Sequence, residues 1–283
     1  METASCKMTN DFDGILLIDK PAGMTSFGVV ARVRRRLTES LRLKAESQKL
    51  KETQAKRSAD ADAVQGRAEQ RSGVYKEVHV ASSGSPDAAM RHARRPKVKV
   101  GHTGTLDPFA TGLMILVIGK ECKNAGAYSK LDKVYEATIR LGETSTTGDP
   151  EGVKSKVESR EYKEEEIRAA LERFTGEIEQ TPPIFSAIKI NGQRAYKLAR
   201  KGEEVEIPVR KVTIHALELI DYSYPELTVR THVSSGTYIR SLAVDIGTAL
   251  GTGAYCSQLR RLKVADYDVA DAYAVADDGE LTK

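Results

Sequence analysis

Six consecutive apolar residues, LMILVI at 113–118, follow directly on the loop GHTGTLDPFATG at 101–112. A run this short and unbroken reads as a strand covered on both faces, and a strand of that kind has to sit inside a sheet. It also gives the loop before it a rigid base. Gly101, Gly104 and Gly112 let backbone approach closely or adopt positive φ, and Pro108 confines Asp107 to extended or turn geometry. Asp107 is the one acidic side chain in the loop, which is how a lone carboxylate is presented as a nucleophile. The plain alternative is a surface turn, since Asp-Pro commonly starts one.

The rest of the chain supplies partners for that strand. Residues 14–19 are apolar and bounded by Asp13-Gly14 and Lys20-Pro21, which predicts a first buried strand. Ser26 is placed to cap a helix running to about Leu37. Residues 41–70 are then rich in Ala, Lys, Glu, Gln and Arg, and 82–97 in Ser, Gly, Pro, Ala and Arg. Neither stretch can bury much surface, so 39–97 is expected to be disordered and basic, holding at most a solvent-exposed helix. Beyond the Asp107 loop the pattern predicts a short helix near 120–130, a strand at 134–142 alternating through Tyr135, Ala137, Ile139 and Leu141, and a helix at 164–174. Asn191-Gly192 is a hairpin signal, followed by the basic segment QRAYKLARKG. Strands at about 209–220, 226–234 and 254–264 frame a helix near 239–250. Without a regular βαβ repeat, this order predicts an α+β fold with a mixed, largely antiparallel central sheet flanked by helices.

Composition limits the setting. With 40% apolar and 30% charged residues the chain reads as soluble, no apolar stretch approaches a bilayer's span of roughly 20 residues, and METASCKMTNDFDG has no hydrophobic signal core. A cytoplasmic protein without membrane contact is expected. Cys6, Cys122 and Cys256 are far apart and lack metal-ligand spacing, so free thiols and no metal are expected. Net charge is +4, and residues 38–98 hold 13 Lys and Arg against 8 Asp and Glu, more than the whole excess. Three local clusters are candidate phosphate contacts: Arg32, Arg34, Arg35 and Arg36; Lys197, Arg200 and Lys201; and Arg260, Arg261 and Lys263.

Five blocks carry a resemblance: GILLIDKPAGMTS at 14–26, the Asp107 loop, KVYEATIRLGETSTTGDPEG at 133–152, QTPPIFSAIKINGQRAYKLARKG at 180–202 and SGTYIRSLAVDIGTALGTGAYCSQLRRL at 235–262. In this order they resemble the TruB family of tRNA pseudouridine synthases. The resemblance implies the pseudouridine synthase fold and conversion of uridine 55 in the tRNA T arm to pseudouridine after base flipping, without cofactor. It puts Asp107 in the nucleophile role and pairs it with Arg240, whose cation would keep a dry carboxylate ionised. Tyr135 would stack on the flipped base and take the C5 proton. His102 would fill space left by displaced nucleotides, while Leu259 and Tyr238 would line the base; Tyr238 shares a strand face with Arg240 if GTYIR is extended. Lys20 and Pro21 would support the loop without a catalytic role, and Asp149 reads as a turn residue of its block.

The same resemblance predicts a domain plan. A catalytic domain spans 11–273, interrupted by 39–97 as an insert, with tails at 1–10 and 274–283, an RNA-clamping thumb at about 174–205, and none of the C-terminal PUA-like domain of many relatives. The expected partner is the tRNA T-arm stem-loop, bound by a monomer with no obligate protein partner. Two alternatives remain: a non-catalytic tRNA-binding or tRNA-folding protein, disfavoured by the joint presence of Asp107, Tyr135 and Arg240, and a guide-RNA-dependent rRNA synthase, disfavoured by the lack of that domain and of long basic tails.

Overall fold

The computed structural model describes residues 13–68, 98–186, 188–190, 192–195, 198 and 206–283. The expected tail at 1–10, residues 69–97 of the insert and the thumb cluster Lys197, Arg200 and Lys201 lie outside the described residues. Two compact units result, one formed by Met1–Val33 with Lys99–Lys283, the other by Arg34–Val98.

The first unit is built on one mixed sheet. Its strands are β1 (Gly14–Lys20), β2 (Val100–His102), β3 (Thr111–Ile118), β4 (Lys133–Leu141), β7 (Gly176–Gln180), β10 (Arg210–Ser223), β11 (Glu226–Val233), β12 (Ala254–Val264), β13 (Tyr267–Asp268), β14 (Tyr273–Val275) and β15 (Leu281–Thr282). Along the sheet the order is β15-β14-β1-β3-β12-β4-β11-β10-β7, with β2 added to β3 and β13 to β12. Only the β1–β14 and β3–β12 pairings are parallel among those described, so the sheet is largely antiparallel as expected. Short ladders β5–β6 (Glu143–Ser145, Lys154–Lys156) and β8–β9 (Lys189–Ile190, Gln193–Arg194) stand apart from it. The flanking helices are α2 (Ala125–Ser129), α3 (Glu164–Glu172) and α4 (Ile239–Leu250).

Physical pattern explains the layout. Every residue of 113–117 in β3 is essentially inaccessible, as an apolar run without alternation requires. β4 instead alternates strictly, with Lys133, Tyr135, Ala137, Ile139 and Leu141 on the buried face. β3 has β1 along one whole edge, but its other edge is shared: β12 pairs with Thr111 and Gly112, and β2 with Leu116–Ile118's residues at the far end. In the gap, Arg261 Nε donates to the Leu113 carbonyl (2.6 Å) and the Thr103 amide to that of Ile115 (3.1 Å), so no strand is needed there. Gly112, at φ 101°, sits where β12 comes nearest, and any Cβ would strike the Arg261 backbone.

Three expectations need correction. The first helix, α1 (Ser26–Ala68), does not stop near Leu37; residues 39–68 continue it, as the solvent-exposed helix that the segment was expected to hold at most, and 42–58 are exposed along its length. Ala, Lys, Glu, Gln and Arg are strong helix formers, so a segment unable to build a core can still hold a helix. Ser26 is not the cap: Thr25 Oγ1 accepts from the Gly28 amide (3.0 Å), which leaves Ser26 free to bind elsewhere. The presumed tail at 274–283 instead extends the sheet, where β14 adds to β1 and β15 to β14.

Candidate active site

The loop between β2 and β3 is pinned on both sides of Asp107. Ser26 Oγ donates to the carbonyl of Leu106 and accepts its amide proton, both at 2.8 Å. On the other side, the Pro108 carbonyl accepts from Lys20 Nζ (3.0 Å) and from the Gly23 amide (2.8 Å). Lys20 is fully buried and also donates to the carbonyls of Pro21 (3.0 Å) and Met24 (2.6 Å). Burial pushes its ammonium down to about 8, while nearby Asp107 pulls it up. From the sheet side, Arg261 Nη2 reaches the Gly104 carbonyl at 3.2 Å. Asp107 is thus presented by backbone that cannot drift.

Arg240 joins this carboxylate to a second one. Its Nε lies 3.0 Å from Asp107 Oδ2 and its Nη1 3.0 Å from Asp149 Oδ2. Nη1 also donates to the Thr147 carbonyl (3.0 Å), and Nη2 to that of Phe185 (2.8 Å). Asp149 is buried and holds its own geometry, since Oδ1 accepts from Thr147 Oγ1 (2.5 Å) and the Glu151 amide (3.0 Å). Asp107 stays the open member, with a third of its side chain accessible. Burial raises its pKa above the ordinary carboxylate range; Arg240 and Lys20 oppose that, and Asp149 adds to it. The cation therefore moderates the shift without reversing it.

The other sequence candidates are set by the sheet. Tyr135 is buried on β4 opposite Arg261 of β12, which in turn faces Gly112 at the start of β3. Leu259 faces Ala137, one step along the same face. Cys256, a buried thiol whose pKa burial pushes far up, faces Ile139 on that face too, and its amide donates to the carbonyl of Gly148, the residue before Asp149 (3.0 Å). His102 ends β2 opposite Leu116 and leads into the loop. Tyr238 does not share a strand face with Arg240: GTYIR is a turn into α4, Tyr238 being the residue before it and Arg240 lying in its first turn. The Gln180 side chain secures that turn, accepting from the Tyr238 amide (2.7 Å) and donating to its carbonyl (3.1 Å). Burial raises the Tyr238 phenol, and Asp107 and Arg240 both act on it electrostatically.

Two sequence readings change here. Asp149, read as a turn residue, is a direct partner of Arg240, and the clue available was a second acid inside a matched block. The cluster Arg260, Arg261 and Lys263, read as phosphate contacts, is occupied internally. Arg260 is bidentate to Asp19 (2.7 and 3.1 Å), Lys263 pairs with Asp268 (3.0 Å), and Arg261 is buried on loop carbonyls. Arg32 pairs with Asp277 at 3.1 Å, whereas Arg34, Arg35 and Arg36 are exposed.

Comparison with known proteins supplies relatives. The family model described as TruB family pseudouridylate synthase (N terminal domain) matches residues 91–239, and that described as tRNA pseudouridylate synthase B C-terminal domain matches 240–277. The chain is 38% identical over 260 residues to tRNA pseudouridine synthase B of Azoarcus sp. (strain BH72), covering 92% of this chain and 67% of that protein. To the protein of the same name from Burkholderia pseudomallei (strain 668) it is 49% identical over 181 residues, 64% of this chain and 60% of that one. The chain thus spans about two thirds of the length of the relatives it matches. Among solved structures, a Cbf5-Nop10-Gar1 complex superposes with a TM-score of 0.54 at 24% identity over 90% of this chain and 50% of that one. An H/ACA RNP bound to a substrate RNA containing 2'-deoxyuridine gives 0.52 at 20% identity, over 94% and 56%. At those identities the likeness is one of fold.

Proposed function

The chain belongs to the TruB family of pseudouridylate synthases, and from that premise we propose that it isomerises uridine 55 of the tRNA T arm to pseudouridine with Asp107 as nucleophile. The observation that carries this reading is the buried guanidinium of Arg240 held between Asp107 and Asp149 at 3.0 Å each. An isomerisation of this kind breaks the N1–C1′ bond, forms C5–C1′, releases the proton on C5 and gains one at N1, so it consumes no donor group or redox partner. What it needs from protein is a fixed nucleophile, a proton acceptor and a closed pocket.

The named residues divide those tasks. Asp107 keeps an accessible carboxylate while the backbone on both sides is clamped, so little reorganisation is needed as the base arrives. Arg240 holds the carboxylate's orientation and favours its ionised form. Tyr135 offers a ring to stack on the flipped base and a phenol to take the C5 proton, with Leu259 on the same face as an apolar wall. His102 at the loop entrance and Tyr238 at the head of α4 complete the rim. The segment at about 174–205 acts as the thumb on the T-arm stem-loop, and one of its residues, Phe185, gives its carbonyl to Arg240 of the ion-pair network.

The test uses unmodified tRNA transcribed with uridine tritiated at C5, incubated with purified protein and no other RNA. Label released to water, in an amount matching one uridine per tRNA and abolished when position 55 is cytidine, is the expected result. Activity that required an added guide RNA would favour the rRNA-directed alternative, and tRNA binding without any release would favour the non-catalytic one.

A further inference from the structure

The sheet face opposite Tyr135 carries a second cluster of chemistry-bearing side chains. Asp132 precedes β4, His215 lies on β10 and His232 on β11, and one ligand atom from each falls within 4.8 Å of the others. His215 Nε2 is 3.1 Å from Asp132 Oδ2, and the two imidazole rings are 4.7 Å apart between centroids, tilted by 47°. From this geometry we infer that Asp132, His215 and His232 form a binding site for a divalent first-row transition-metal ion, with zinc as the reference ligand.

Register explains why three residues distant in sequence meet. His232 faces Val134 on β4, whose neighbours Lys133 and Tyr135 are buried on the other face, so Asp132, Val134 and His232 share the outer one. On β10 the ladder slips: Ile214 faces Val233 and Ala216 faces His232, which leaves His215 as the extra residue of a bulge. Without the slip His215 itself would stand opposite His232; with it Ala216 takes that place, and the adjoining His215 ring still lies 4.7 Å from that of His232. A regular ladder would have kept Ala216 on the buried face with Ile214.

The donor set selects the ligand. Two imidazoles and one carboxylate suit zinc and its first-row neighbours, whereas magnesium and calcium take oxygen sets. Three protein ligands leave a coordination position for water, and the side chains of His215 and Asp132 are 38% and 43% exposed, so an ion has a path in. The next charged row on this face, Arg230 and Glu136, is internally paired at 3.0 Å and offers no competing cation. An ordinary ion pair accounts for Asp132 with His215 but gives His232 nothing to do. A bound ion would tie β10 and β11 to the start of β4, the strand that carries Tyr135.

The expectation of no metal rested on cysteine spacing, which does not register histidines paired across strands. The experiment is zinc titration of the chelator-treated full chain by calorimetry, with cobalt(II) absorption as a second readout. One saturable equivalent is expected, with a tetrahedral cobalt band, and His215→Ala, His232→Ala and Asp132→Asn each weakening binding by about tenfold or more. Arg230→Ala, on the same face, is expected to bind as the unmodified chain does. Circular dichroism establishes that each variant is folded. Absence of saturable binding to the unmodified chain, or binding that both histidine variants retain in full, overturns the site.

Discussion

Arg240 Nε lies 3.0 Å from Asp107 Oδ2, and the two groups differ sharply in exposure: the guanidinium side chain is 4% accessible, the carboxylate 33%. The cation is therefore structural furniture, with four of its donor contacts committed to Asp107, Asp149, Thr147 and Phe185, while the anion is left for a visitor. Replacing Asp107 by Asn is expected to abolish tritium release while leaving tRNA affinity within about tenfold, because backbone and shape contacts supply most of the binding. Near-normal turnover in this variant would remove Asp107 from the nucleophile role.

Asp149 makes a separate prediction. It holds Nη1 of Arg240 without reaching the open side of Asp107, so Asp149→Asn is expected to lower kcat by about tenfold to a hundredfold with little change in KM. Single-turnover assays at saturating enzyme separate the two parameters. An unchanged kcat would return Asp149 to the status of a turn residue.

The pH dependence has a definite sign. If Asp107 acts in its ionised form as proposed, its protonation stops turnover, and because burial raises its pKa, the acid limb of kcat/KM is expected to bend above the ordinary aspartate range. Asp149→Asn, by removing a carboxylate that pushes Asp107 up, is expected to move that bend to lower pH. A profile flat down to the normal aspartate pKa would contradict the assignment.

The same shift bears on stability. Between the ordinary and the raised value, the folded chain binds the Asp107 proton more tightly than the unfolded chain, so stability falls as pH rises through that window. At neutral pH the ionised carboxylate is therefore a cost, and Asp107→Asn is expected to keep Tm or raise it by about 1–3 °C. Scanning calorimetry decides this, and a clear fall in Tm would mean that the pairing with Arg240 outweighs desolvation.

Ser26 tests the clamp on the loop. Ser26→Ala leaves a buried amide and carbonyl of Leu106 without their partner, at a cost of about 1–3 kcal/mol. Turnover is expected to fall as well, because the residue next to Asp107 is freed, whereas Thr25→Ala, which removes only the helix cap, should cost about 1 kcal/mol and spare kcat. Equal effects of the two variants on kcat would argue against a positioning role for Ser26.

Much of this protein is determined by short-range pattern in the sequence. LMILVI makes β3, the alternation from Tyr135 to Leu141 makes β4, and the glycines and Pro108 shape the loop that presents Asp107, because strand periodicity and backbone torsional preference act within a few residues. The helix-forming composition of 41–70 is compatible with the exposed helix found there, but nothing local in the sequence marks where α1 ends, because no core contact sets its length. Partnerships between distant residues were decided only when the strands took their places. Asp149 meets Arg240, Ser26 meets Leu106, Arg261 fills the gap beside β3, and the pairing of β10 with β11 brings the His215 and His232 rings together. Each depends on which elements become neighbours and in what register, and a one-residue slip would send the same side chains to the other face of the sheet.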